Sequence, residues 1–308
     1  MPSAVLIANP SASQFTGGGF RRVKSILERV YDLETEWPID PAETRAATER
    51  AAGRECDVVF AMGGDGVAHH VANGLVGTRT ALGIIPVGTT NVLSRILGIP
   101  QKAVRAAEAA ITWEPRPTRT VMVEADTDRG SLVRHATFSL GFGFDADVVE
   151  SAETRPFAKT RFGMLHYATT AVSRLVSTWR SEKPHLRMTC DGERFDAVVA
   201  LTQVHDPYTY FGPFPLHLAA DAPEGVATLA GNDLGIVKSA EIVSRAALRF
   251  SHRKGTGVRL FTDYREIRIE ADPMTPFQAD GEMLGHASLA TITPIEGALL
   301  VVRPHDDV

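Results

Sequence analysis

The chain has 308 residues, more than one ordinary hydrophobic core accommodates and enough for two domains. Its 44% hydrophobic and 22% charged content excludes the disordered and fibrous classes. A net charge of −5, from 32 basic and 37 acidic side chains, argues against a nucleic-acid partner held by a general positive field. The two cysteines, Cys56 and Cys190, are too few and too far apart for a disulfide or zinc framework and read as reduced thiols of a cytosolic protein. No signal peptide is expected at the N-terminus, and no apolar run is long enough to cross a bilayer. A soluble, cytoplasmic protein is expected, one that meets any lipid at the membrane surface.

In chain order, Val5 to Ala8 reads as a buried strand, and Phe20, Val23, Ile26, Leu27 and Val30 then recur at helical spacing. Pro41 opens an alanine-rich helix that runs toward Gly53. Asp57 to Met62 and Ala81 to Ile85 read as further strands, each followed by a helix. Strands alternating with helices imply a parallel sheet covered on both faces, with a ligand at the carboxyl ends of the strands. Two prolines and a tryptophan between Trp113 and Pro117 mark a boundary. Beyond it, strand-like runs at Arg119 to Glu124, Leu132 to Leu140, Leu186 to Cys190, Ala197 to Thr202, Val226 to Ala230, Val258 to Phe261 and Glu266 to Glu270 read as a mainly antiparallel β domain. Helices are expected near Phe162 to Trp179 and Ile236 to Phe250.

Three loops follow the three strands of the first domain. Gly63-Gly64-Asp65-Gly66 can bring backbone N–H groups close to a phosphate because no Cβ intervenes, and the helix beyond adds its positive end. A carboxylate inside such a loop repels phosphate unless a cation bridges the two, so Asp65 suggests Mg²⁺; the plainer alternative is a tight turn with a solvated aspartate. Gly88-Thr89-Thr90-Asn91 and Asn9-Pro10-Ser11 are two more loops of phosphate-compatible composition. The Gly-x-x-x-x-Gly-Lys-Ser/Thr pattern of a P-loop is absent from the sequence.

The ordered set Ala8-Asn9-Pro10, Met62 to Gly66, Val71 to Leu75, Leu82 to Asn91, Gly141-Phe142-Gly143-Phe144-Asp145-Ala146 and Gln278-Ala279-Asp280-Gly281-Glu282 resembles the diacylglycerol kinase catalytic-domain family, which includes bacterial lipid kinases and sphingosine kinases. The resemblance spans nearly the whole chain. It implies an α/β N-terminal domain (residues 1–117, with a parallel sheet like that of NAD and lipid kinases). It also implies a mainly antiparallel β-sandwich C-terminal domain (118–290), with a nucleotide cleft between the two. The last segment, 291–308, is expected to pack near the domain junction.

The resemblance further implies an ATP- and Mg²⁺-dependent kinase acting on a lipid hydroxyl. ATP phosphates would lie on Asn9, Pro10, Ser11, Gly63, Gly64, Asp65, Gly66, Gly88, Thr89 and Asn91. Lys159 and Arg161 would reach them too, unless they are simply solvated cations. Asp65, Asp280 and Glu282 would form an acidic cluster, with Asp65 and Glu282 serving the metal. Asp280 would be the general base, with Asp65 close behind; read alone, Asp280-Gly281 is a hairpin turn. Asp145 would stand near those carboxylates and Asp147 near the lipid head group. The implied partners are a nucleotide and a lipid at the membrane surface, and the resemblance leaves room for a homodimer. The basic residues of Arg155 to Arg161 and His252 to Lys254 would face anionic lipid.

The pattern also departs from the family. Position 67 is Val where Thr is usual, and His69 and His70 stand where Asn or His and then Glu are usual. Adjacent histidines on a helix point in different directions, which favours a structural role over a metal site. Pro223-Glu224-Gly225 replaces a common Asp-Asp-Gly, so a structural Mg²⁺ site there is not carried over. An NAD kinase shares the Gly-Gly-Asp-Gly loop but should lack the Asp-Gly-Glu motif. A non-catalytic lipid- or nucleotide-binding module is the rival suggested by Val67 and His70.

Overall fold

A strand covered on both faces needs a continuous apolar run, and β1 (Ser3–Ala8) has one, with Ala4 through Ala8 all buried. β3 (Val58–Gly63) and β4 (Ala81–Pro86) are buried along their whole length in the same way. With β2 (Asp32–Glu36), these strands form a parallel sheet in the order β2-β1-β3-β4. The fold is seen in a computed structural model that describes residues 1–153, 170, 173–174, 177–179, 182–219, 225–251 and 257–305. The expected helix at 162–179 lies mostly outside these residues.

β2 has no sequence signal of its own. It is the edge strand, its segment Asp-Leu-Glu-Thr-Glu is polar, and none of its residues is fully buried. The helices follow clear local chemistry. The Thr16 hydroxyl accepts the Gly19 N–H at 3.0 Å to open α1 (Gly17–Leu27), which buries Val23, Ile26 and Leu27. Asp40 caps α2 (Pro41–Gly53) by accepting the Glu43 N–H at 2.8 Å, and Glu43 reaches back to accept the Ile39 N–H. α2 packs against α3 (Asp65–Leu75), and α1 packs against α5 (Ala103–Ala110); α4 (Val92–Ile96) lies between α3 and α5 in the chain.

The chain divides into two units. Unit 1 is Met1–Thr120 with Glu296–Val308, and unit 2 is Val121–Ile295. The crossings fall inside two long strands, β5 (Pro115–Thr127) and β16 (Glu282–Val302), rather than at 117 and 290. The end of β16 joins unit 1 through a parallel pairing of Val301 with Leu82 on β4, and Arg119 forms an ion pair with Glu296 in the same unit.

Unit 2 is strand-rich and antiparallel. Its sheet runs β14 (Val258–Thr262), β13 (Ala227–Gly231), β10 (Val199–Gln203), β7 (Ser139–Gly143), β15 (Ile267–Ala279), β16. β5 pairs with β6 (Gly130–Ala136), and β8 (Leu186–Cys190) pairs with both β15 and β9 (Glu193–Ala197). The run Leu132 to Leu140, expected as one strand, is two: β6 and β7 are separated at Thr137 and Phe138. The unit also contains α6 (Phe144–Glu153), on β7 and β15, and α7 (Ile236–Ala247). Both cysteines are free and buried.

The core of unit 2 centres on Phe142 and Phe277, which face each other across β7 and β15 with ring centroids 5.2 Å apart and planes 13° from parallel. Phe277 is fully buried. Phe277→Ala should therefore lower unfolding free energy by about 3–5 kcal/mol in denaturant titration, whereas the same change at exposed Phe214 should cost under about 1 kcal/mol.

Candidate active site

In unit 1, the three loops after β1, β3 and β4 are tied to one another. The Asn9 N–H donates to the Met62 carbonyl at 3.0 Å, and the Asn9 Oδ1 accepts the Ser11 N–H at 2.9 Å. The Val87 N–H donates to the Gly63 carbonyl, and Gln14 bonds both to the Val87 carbonyl and, through Nε2, to the Gly88 carbonyl at 2.7 Å. The Ser13 and Thr89 hydroxyls meet at 2.9 Å.

The two glycine loops come so close that only glycine fits. A Cβ on Gly88 would lie 2.6 Å from the Gly64 Cα and 2.7 Å from the Asn91 Oδ1. Asn91 is buried, with φ +50°, a conformation asparagine tolerates better than most residues. Its amide closes the loop on itself, accepting the Gly88 N–H at 2.9 Å and donating to the Gly88 carbonyl at 3.0 Å. Asn91, expected as a phosphate ligand, is thus the residue that shapes the loop.

Gly64 is the N-cap of α3, and no side chain caps that helix. The first-turn N–H groups and the positive end of an 11-residue helix are left to bind an anion. Asp65 sits in that first turn, where its Oδ1 accepts the Leu93 N–H at 3.2 Å. Val67 packs directly over Gly63, since a Cβ there would lie 2.5 Å from the Val67 Cγ2. His69 and His70 go to separate partners: buried His69 is near the Asn73 amide, and the His70 Nδ1 lies 3.0 Å from the Arg45 Nη1.

In unit 2 the Asp280-Gly281 pair is a hairpin turn and something more. Asp280 and Gly281 link β15 to β16 at φ +55° and +80°, as a two-residue type I′ link requires. The Asp280 side chain is 3% exposed and turns into the break between β6 and β7. It accepts the N–H groups of Thr137 (2.8 Å), Phe138 (2.8 Å) and Ser139 (3.1 Å) and the Thr137 hydroxyl (2.9 Å). Four donors match the roughly four lone-pair positions of a carboxylate. As placed, Asp280 ties the turn between β15 and β16 to the break between β6 and β7.

Gln278, 2% exposed, bridges the turn to α6. Its Oε1 accepts the Gly281 N–H at 2.7 Å, and its Nε2 donates to the Asp145 Oδ2 at 2.6 Å. The buried Tyr208 hydroxyl donates to the same oxygen at 2.9 Å. Burial raises the Asp145 pKa, and these two donors oppose the shift. Burial, then the charge of Asp145, pushes Tyr208 well above the usual phenol range, so it stays a donor. Asp147 is spoken for: Arg174 grips both its oxygens at 2.6 Å, and the Trp179 Nε1 donates at 2.7 Å.

Among the described residues no three or more His, Cys, Asp or Glu side chains form a set able to hold a metal ion. Lys159, Arg161, Glu224 and His252 to Lys254 lie outside those residues. Gln278 and Tyr208 were not singled out in the sequence; Gln278 opens a quoted motif and could have been, whereas Tyr208 reaches Asp145 only through tertiary structure.

Gly88→Ala should lower unfolding free energy by about 1–3 kcal/mol in denaturant titration, because the new methyl would push the two glycine loops apart. Asp280→Asn places an amide among N–H donors and should lower unfolding free energy by about 3 kcal/mol in denaturant titration.

Residues 3–123 match the diacylglycerol kinase catalytic domain. Over 296 residues the chain is 27% identical to a diacylglycerol kinase of Bacillus subtilis (strain 168), covering 92% of this chain and 91% of that protein. It is 26% identical over 272 residues to a diacylglycerol kinase of Mycobacterium tuberculosis (strain ATCC 25618 / H37Rv), covering 86% and 82%. The crystal structure of a diacylglycerol kinase from Bacillus anthracis superposes with TM-score 0.71 at 18% identity, covering 98% and 97% of the two chains. A yeast NADH kinase structure superposes with TM-score 0.52 at 10% identity over 99% and 84%, a likeness of fold alone. The match to that domain covers residues 3–123, and the likeness to proteins named diacylglycerol kinase runs over most of the chain.

Proposed function

We propose that the chain is a lipid kinase that transfers the γ-phosphoryl group of ATP to the hydroxyl of a lipid alcohol at a membrane surface. The observation that carries this reading is the Gly64–Gly88 contact at the uncapped start of α3, within a domain of the diacylglycerol kinase family. Phosphoryl transfer asks the protein mainly for positioning and charge stabilisation. Backbone N–H groups at a helix N-terminus, approached closely because no Cβ intervenes, suit ATP phosphates. Asn9, Ser11, Thr89 and Asn91 hold the loops that present them.

Mg²⁺ belongs to the same reading. It usually takes one or two protein carboxylates and completes its shell with water and substrate phosphates. Asp65, in the first turn of α3 beside the glycine loops, is an oxygen donor of that kind. The bound ion would neutralise charge on the phosphates as the γ group moves. Diacylglycerol, after which the relatives are named, is the first acceptor to try. No helix among the described residues is long and apolar enough to cross a membrane, so the chain would meet its acceptor peripherally.

The test is transfer of label from γ-labelled ATP into a panel of lipid alcohols in mixed micelles, with NAD in a parallel tube. Label should enter diacylglycerol or another lipid alcohol and vanish on chelation of Mg²⁺. Label in NAD would replace this reading with a small-molecule kinase. ATP binding without transfer to any acceptor would replace it with a binding module.

A further inference from the structure

A cavity of about 330 Å³ lies between the loop that follows β1, the start of α1 and the start of α5, entirely within unit 1. Its walls carry three cations: Arg22 on α1, Lys102 just before α5, and Arg105 in the first turn of α5. Its floor is apolar, made by Met62 in β3 and Val87 just beyond β4, both buried. Glu108 pairs with Arg105 at 3.1 Å, but both side chains are exposed and water screens the pair. In a chain of net charge −5, three cations thus face one concave surface. Like charges so arranged repel one another until an anion sits between them.

The walls select the kind of anion. Two guanidinium forks and one ammonium suit a group with several oxygens and more than one negative charge, a phosphate rather than a carboxylate. The volume is that of a small-molecule site and exceeds what a bare phosphate fills. Met62 and Val87 offer the remainder an aliphatic surface. Topology separates this cavity from the start of α3. The step from β1 to β2 runs one way across the sheet, and the steps from β2 to β3 and from β3 to β4 run the other way. Right-handed crossovers therefore put α1 on one face and α2 and α3 on the opposite one. Gln14 links the two places, since it lines the cavity while its Nε2 donates to the Gly88 carbonyl at 2.7 Å.

We propose that the cavity between α1 and α5 binds a phosphate ester, apart from the glycine loops that take ATP in the reading above. Arg22, Lys102 and Arg105 hold the phosphate, and Met62 and Val87 lie against its aliphatic part. A soluble phosphomonoester and the head group of an anionic phospholipid share this chemistry. No group is transferred at this site, so it stands independently of the acceptor.

The test is calorimetric titration of glycerol phosphate into the full chain, with and without a saturating non-hydrolysable ATP analogue. Binding should persist in the presence of the analogue. Arg22→Ala combined with Lys102→Ala should weaken it by about tenfold or more. Both residues are exposed, so the variant should melt as wild type does, and Arg105→Ala alone serves if it does not. Sedimentation with phosphatidylglycerol vesicles, against phosphatidylcholine vesicles, separates the two sources. Binding to phosphatidylglycerol that the double variant loses supports the proposal with a lipid head group as the ester. Binding of glycerol phosphate alone supports it with a soluble ester. Binding of neither probe, or equal binding by wild type and the folded variant, would overturn it. Displacement of glycerol phosphate by the ATP analogue would also overturn it, by placing the anion on the nucleotide loops. A chain that labels no lipid would overturn the lipid-kinase reading and leave this proposal standing.

Discussion

A carboxylate removed from water must have its lone pairs filled, and much of unit 2 is arranged around meeting that demand at Asp280. The break between β6 and β7 turns the N–H groups of Thr137, Phe138 and Ser139 onto one side chain. That side chain sits on the hairpin linking β15 to β16, so one set of hydrogen bonds sets the position of the turn relative to β7. Gln278, two residues before Asp280, then carries the position of the turn to Asp145 through the Gly281 N–H. The position of Asp145 is thus coupled to that of Asp280.

Unit 1 solves a different problem with the same economy. Loops at the ends of parallel strands carry many polar backbone groups, and here they satisfy one another: Asn9 with Met62 and Ser11, Val87 with Gly63, Asn91 with Gly88. What remains unsatisfied by a side chain is the start of α3. A rigid set of loops that spends its internal hydrogen bonds on its own shape, and leaves a helix end over, is preorganised for an anion.

Two departures from the family pattern find physical explanations in unit 1. Val67 covers Gly63, filling with methyl groups the space that the missing Cβ leaves. His70 has a partner in Arg45 on the neighbouring helix, so it joins α2 to α3. Val67 thus packs on the glycine loop and His70 joins two helices, and the Asp65 carboxylate and the Gly64–Gly88 pair are kept. The same holds for His69, whose burial beside Asn73 makes it part of the core of α3.

The sequence by itself determined the alternation of buried strands and helices in unit 1, because continuous apolar runs and helical spacing are local properties. It also located the glycine loops and the Asp280-Gly281 turn, since positive φ and close approach restrict residue types strongly. It did not reveal β2, where an edge strand can be polar. It did not reveal the break at Thr137 and Phe138 either, because the reason for that break is an aspartate 142 residues along the chain from Phe138. The length of β16 was hidden for a related reason: its residues are alternately covered and open, and their partners lie on β15 and β4. Among the aspartates, sequence could name Asp145, Asp147 and Asp280 but could not rank them. Which of their oxygens are occupied depends on Tyr208, Gln278, Arg174 and the turned N–H groups, all brought in by tertiary packing.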